Sequence, residues 1–387
     1  MRGKISFLIL LIIIFLPWTL RAEEGNSFAF LEEALNDLGE THRIPGEAVV
    51  LVRDGEIAWA SGYGFGNKKD GWEVTPDTVF QVGSISKAVA AVGVMQLAEE
   101  GLLDLDAPAE MYLTRWQFPQ SSYDVREVTI RRLLSHTAGL APRGYMGYRP
   151  TGEIPSLLAS MTGEARRGKA VRIVAEPGEG FKYSGGGYSV LELIIEEISG
   201  LGFEEYMQKR VFQPLGMENG SYEWPLHLRE KTATGYSVFG TSFPTYLFAE
   251  KAAAGLLSSA VDLGMFLINL MEGYRGEEAI LSRATLREMF TKVDVYGLGF
   301  HVHTTPEGEL VVSHGGSNQG WKSYMVMFPD KGEGIVILAN SDWGTLLYQE
   351  ITNLWAEHLE VDYKIRAPGR LQIIFSDPIT RLMRFYY

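Results

Sequence analysis

The stretch EAVVLVRDGEIAWASG, residues 47–62, decides the fold. Two runs rich in apolar and β-branched residues, 47–53 and 56–62, flank Asp54-Gly55, a dipeptide that closes tight hairpins. A lone hairpin is marginal in water, so its open edges must find partners. The far end of the chain supplies them. Residues 309–313, 321–329 and 334–340 read as strands, with Asp330-Lys331-Gly332 turning between the last two. Pairing the two ends into one antiparallel sheet is the simplest solution, which makes the expected fold α+β.

What lies between the strand-rich ends reads as helix and loop. Ser84 to Glu100 is the clearest helix, with Ile85, Ala88, Val89, Val92 and Met95 on one face and Gly101 as its stop. Gly187 to Ser199 and Val261 to Glu272 repeat the helical spacing, as do residues 27–38 and 346–359 outside the insertion. The expected organisation is a sequence-discontinuous sheet part, about 27–80 and 290–360, flanked by helices, and an inserted helical part, about 81–289. The loop 141–172, rich in Gly, Pro and Arg, is a candidate border for a cleft between them.

Composition removes several function classes. The 387 residues carry 48 acidic against 35 basic side chains, a net charge of −13, and no basic stripe precedes the last two dozen positions. A polyanion would be repelled, so no nucleic-acid partner is expected. The absence of cysteine excludes thiol catalysis, Cys-ligated zinc and a lipidated cysteine anchor.

The first 22 residues follow the order of an export signal. Arg2 and Lys4 precede the apolar run Ile5 to Leu16, then Pro17 and Leu20-Arg21-Ala22. Cleavage after Ala22 would leave one domain, 23–363, in the periplasm or outside the cell; an uncleaved segment would act as a membrane anchor. Residues 364–387 change character, alternating Lys364, Arg366, Arg370, Arg381 and Arg384 with Ile373, Ile374, Phe375, Leu382, Met383 and Phe385. Such a tail either contacts a membrane surface or a partner, or is docked on its parent domain or frayed, and the latter pair is the simpler reading.

The chemistry centres on Ser84-Ile85-Ser86-Lys87. A serine hydroxyl is a poor nucleophile until a base removes its proton. One helical turn puts Lys87 beside it, and burial at a helix start favours the neutral amine that can serve as that base. The backbone N–H of Ser84 is available to a developing oxyanion. Alone the spacing is weak, because a helix-capping serine and a solvated lysine would look the same. Tyr183-Ser184-Gly185 strengthens it, since a tyrosine on a loop before a helix can relay a proton to a leaving group. His314-Gly315-Gly316 adds a strand end whose small residues leave an edge open to substrate, with the Ser317 N–H as a second oxyanion donor.

Ser-x-x-Lys, Tyr-Ser-x and His-Gly-Gly, in that order, resemble the serine β-lactamase-like family of class C β-lactamases, penicillin-binding D,D-peptidases and related esterases. Thr129 to Leu140, Gly255 to Ser259 and Tyr296 to Phe300 are similar too. The resemblance implies a β-lactamase/transpeptidase-like fold with the site between sheet and helical parts. It implies Ser84 as acylated nucleophile, Lys87 as base and Tyr183 as proton relay, with His314, Gly316, Ser317 and Gly185 around the substrate, acting on an ester, amide or β-lactam carbonyl. No metal or organic cofactor is required. The chain departs from many relatives at Gly185, where they carry Asn, and at His314, where they carry Lys. Both changes point to an esterase- or peptidase-like site. The alternative is a binding or scaffold protein that keeps the fold and turns nothing over.

Other signals have ordinary explanations. No Gly-x-Ser-x-Gly occurs, against a nucleophile elbow. Gly62 to Gly66 opens no helix, so it reads as a strand end rather than a nucleotide loop. His301 and His303 share a strand face but lack a third ligand nearby. His136 reads as a structural hydrogen-bonding residue, and Glu176 and Glu179 as turn residues before Tyr183.

Overall fold

The structure is a computed structural model that describes residues 28–165 and 170–376. The expected export signal, and Arg381, Leu382, Met383, Arg384 and Phe385 of the tail, lie outside the described residues. In chain order, helix α1 (Ala29–His42) leads into strands β1 (Gly46–Arg53), β2 (Glu56–Asn67) and β3 (Trp72–Glu73). Helices α2 (Ile85–Glu99), α3 (Gly185–Ser199), the short α4 (Lys251–Ala254) and α5 (Ala260–Arg275) follow. Strands β4 (His301–Thr304), β5 (Leu310–Asn318), β6 (Trp321–Phe328) and β7 (Glu333–Ala339) precede α6 (Gly344–His358) and α7 (Arg370–Ser376).

The two ends of the chain do meet in one seven-stranded sheet, ordered β4-β5-β6-β7-β1-β2-β3, with antiparallel neighbours throughout. Val49 of β1 lies opposite Ile337 of β7 on one side and Ser61 of β2 on the other. Alternation sorts β1 between two cores. Val49 and Leu51 pack with Leu31 and Leu35 of α1 and Leu347, Ile351 and Trp355 of α6. Ala48, Val50 and Val52 face the larger core that contains α2, α3 and α5.

Two strand ends and the burial of one helix differ from the sequence reading in ways that shape the site. Strand β2 runs past Gly62 to Asn67, because its end pairs with β3. Helix α2 is buried on every side from Ile85 to Leu97, not on one face. The small residues between its larger apolar ones let neighbours close in all round, which is the signature of a central helix. Strand β5 does not stop at Ser313; it continues through the glycines, which pair with Tyr324 and Ser323 of β6. The tail begins by docking: Arg370 donates to the Thr41 carbonyl and contacts His42 Nδ1 at 3.0 Å.

Candidate active site

Ser84 sits at the start of α2, beside β5. Gly83 before it has φ 52°, and a Cβ there would lie 2.6 Å from Ser317 N, so only glycine allows the approach. The segment is clamped from three sides. Val82 N donates to Leu256 O at 3.1 Å, Ser323 Oγ to Val82 O at 2.8 Å, and Asn318 Nδ2 to Gln81 Oε1 at 3.0 Å. The half-buried Ser84 makes no side-chain capping bond to α2. Lys87, only 2% exposed, places Nζ 3.2 Å from Ser84 Oγ and donates to Ala253 O of α4 at 2.5 Å. The capping-serine, solvated-lysine alternative therefore fails on both counts. A contact of this kind carries a proton either way: an ammonium donates to Oγ, and a neutral amine accepts from the hydroxyl.

Tyr183 lies on the loop leading into α3, with its ring centroid 4.9 Å from Lys87 Nζ. Its loop is fixed by His136, whose φ of 60° turns the chain sharply after Ser135. Lys182 N donates to His136 O at 2.7 Å and Ser184 N to His136 Nδ1 at 3.2 Å. The imidazole lies against the Tyr183 ring, tilted by 40° with centroids 4.2 Å apart. Accepting at Nδ1 places the neutral ring's proton on Nε2. Burial, then the Lys87, His314 and His301 charges, hold His136 well below the usual histidine range. Ser184 caps α3 by accepting from Gly187 N at 2.9 Å.

His314, 1% exposed, sits inside β5, its Nδ1 2.8 Å from Gly315 O. Burial first, then His301 and Lys87, push it well below its ordinary value, so it offers no permanent charge at neutral pH. Gly316 is needed for packing, since a Cβ there would meet Val82 O at 1.9 Å. Ser317 is exposed beside Gly83. Beyond Ser313 the outer edge of β5 has no strand partner among the described residues, because β4 covers only Leu310 to Ser313. Among the described residues no three His, Cys, Asp or Glu side chains gather as a metal site.

Gly185 presents no side chain, and one there would be tightly crowded. A Cβ there would lie 3.1 Å from Tyr145 Cε2 and 3.2 Å from Arg143 O. Several groups around the site left no sequence signal. Ala253 acts through a backbone carbonyl, and buried Glu192 of α3 accepts from Ala252 N at 2.9 Å to hold the turn that presents it. A charged groove of about 1100 Å³, lined by residues including Arg131, Arg132, Glu179 and Asp294, does not include Ser84. Arg131 and Arg132 are already paired there with Asp106, Glu288 and Glu127.

A two-part α+β architecture with a lysine buried against a helix-start serine defines a β-lactamase/transpeptidase-like protein. Residues 31–357 match the Beta-lactamase family model, and the chain belongs to that family, whose members are serine hydrolases. It is similar to penicillin-binding protein 4* of Bacillus subtilis (strain 168), 26% identical over 371 residues covering 89% of this chain and 78% of the relative. Among solved structures it resembles the octameric penicillin-binding protein homologue from Pyrococcus abyssi, 29% identical with TM-score 0.73, covering 87% of this chain and 78% of that one. The fold is also that of a β-lactamase/D-alanine carboxypeptidase from Pseudomonas syringae, 22% identical with TM-score 0.69, over 87% and 99% of the two chains.

Proposed function

We propose that the protein hydrolyses esters or amides through an acyl-enzyme on Ser84. The observation that carries this reading is the buried Lys87 amine, 3.2 Å from Ser84 Oγ and oriented by Ala253 O. Ser84 Oγ attacks the carbonyl carbon while Lys87 takes its proton. The N–H groups of Ser84 and Ser317 bind the oxyanion. Tyr183, beside Lys87, passes the proton to the leaving group as the carbonyl–leaving-group bond breaks. Water then attacks the acyl-enzyme with the same groups in reverse, releasing the acid and regenerating Ser84. The missing side chain at Gly185 and the uncharged His314 favour esters and peptides over β-lactams as substrates.

A fluorophosphonate probe read by intact mass tests the nucleophile. One adduct is expected on the wild type and none on Ser84→Ala. Steady-state hydrolysis of a p-nitrophenyl ester should fall at least ~10³-fold in Lys87→Ala. Unchanged labelling in Ser84→Ala, or full turnover in Lys87→Ala, overturns the mechanism.

A further inference from the structure

We propose that Arg143 binds an anionic group of the substrate, making this a site for acyl compounds that carry a carboxylate within reach of the tyrosine loop. The inference rests on the reading of Ser84 as nucleophile, and it concerns what that nucleophile acts on.

The loop carrying Arg143 is built onto the tyrosine turn. Gly185 N donates to Arg143 O at 2.9 Å, Gly186 N to Pro142 O at 3.0 Å, and Ser184 Oγ to Pro142 O at 3.4 Å. A Cβ on Gly186 would strike Ala141 O at 2.5 Å, so the glycines are what let the loop settle there. Its far side is pinned as well. Tyr145 OH lies 2.9 Å from Ser189 Oγ of α3, and Tyr148 exchanges backbone hydrogen bonds with Leu247. The backbone of Arg143 is thus fixed relative to Tyr183.

Its side chain is left for something else. The exposed guanidinium stands 5.8 Å from the Tyr183 ring centroid and pairs with no carboxylate among the described residues. Cation–π contact orients it without neutralising its charge. Other cations near Ser84 are engaged, apart from Lys182 beside Tyr183, which is exposed and has no ion pair among the described residues. Lys87 is buried against Ser84 and Ala253, and Lys251 pairs with Glu223. Lys322 pairs with Asp342, and burial holds His136, His301 and His314 below the usual histidine range. In a chain of net charge −13, an exposed guanidinium 5.8 Å from the ring of the candidate proton relay, with no ion pair among the described residues, is available to a carboxylate.

Two matched ester pairs test this, each with one neutral and one carboxylate-bearing member. The carboxylate is on the acyl chain in one pair (p-nitrophenyl pentanoate against p-nitrophenyl hemiglutarate). It is on the leaving phenol in the other (phenyl acetate against 3-carboxyphenyl acetate). The wild type should favour the anionic member of at least one pair by about five- to tenfold in kcat/KM, after correction for alkaline hydrolysis, with the preference shrinking in added salt. Arg143→Ala should bring that ratio near one and Arg143→Glu should invert it. Lys182→Ala, on the same loop, should retain it. An enzyme labelled at Ser84 that shows no preference in either pair overturns this inference alone. So does a preference lost in Lys182→Ala and kept in Arg143→Ala. Absence of Ser84 labelling overturns both readings together.

Discussion

His314 and His136 approach the same buried amine from two elements, and each leaves Nε2 without a protein partner among the described residues. Both rings resist protonation because burial removes the water that would solvate the charge. Their effect on stability has a definite sign. Below about pH 6.5 the unfolded chain takes up protons that the folded rings refuse, so the folded state loses stability on acidification. Measured by circular dichroism, the melting temperature of His314→Gln relative to the wild type should rise between pH 7 and pH 5. A difference that stays constant with pH would place the acid-sensitive group elsewhere. At this scale the proposed trio of Ser84, Lys87 and Tyr183 could be named from the sequence, because each sits in a short motif and the motifs follow one another in the family's order. Ala253 could not, since any residue supplies a carbonyl. Arg143 was hidden for another reason: only the packing of its loop on the glycine turn brings it to Tyr183.

Helix α3 serves the site twice. Its first turn fixes the loop of Tyr183, and Glu192 in its middle holds Ala252 N, so that Ala253 O meets Lys87. Burial pushes the Glu192 carboxyl well above the usual range, which leaves it neutral and nearly isosteric with glutamine. Glu192→Gln should therefore keep an acceptor for Ala252 N and most of the wild-type kcat. Glu192→Leu should lower kcat about tenfold or more with little change in KM, because the amine loses its orientation and the substrate pocket does not. Equal losses in both variants, or a loss confined to KM, would remove Glu192 from the positioning of Lys87. Element positions were readable because hydrophobic spacing changes from two to helical between them. Element ends were harder: β5 passes through Gly315 and Gly316 because ladder pairing with β6 outweighs the poor strand propensity of glycine.

Across the whole molecule, buried carboxyl groups oppose the histidines. Glu47 of β1, 2% exposed beneath α1, is raised by burial to about 8, and Asp262 of α5 to about 7. These groups stay protonated in the folded chain, up to about pH 8 for Glu47 and about 7 for Asp262, while the unfolded chain ionises them from about pH 4 upward, so their contribution to stability falls across that range. Glu47 alone accounts for a loss on the order of 4 kcal/mol by pH 8, from its raised value. Maximum stability should accordingly lie on the mildly acidic side of neutrality. Glu47→Gln should raise the melting temperature at pH 8 and leave it nearly unchanged at pH 5; a rise of equal size at both would sink the argument. The discontinuous sheet was legible because two strand-rich ends had no other way to cover their edges. The sharing of its two faces between separate cores was not, since alternation within β1 is apolar on both sides.

The pairing of residues 47–53 with 333–339 also bears on how the chain is made. At synthesis rates of about 5–20 residues per second, the first hairpin waits roughly 15–60 s for its neighbour to leave the ribosome. Throughout that interval Val49, Leu51 and their backbone present a bare template to other nascent chains. Products interrupted before Glu333 would never acquire the covering strand, and they should accumulate as aggregates rather than as shorter folded enzymes.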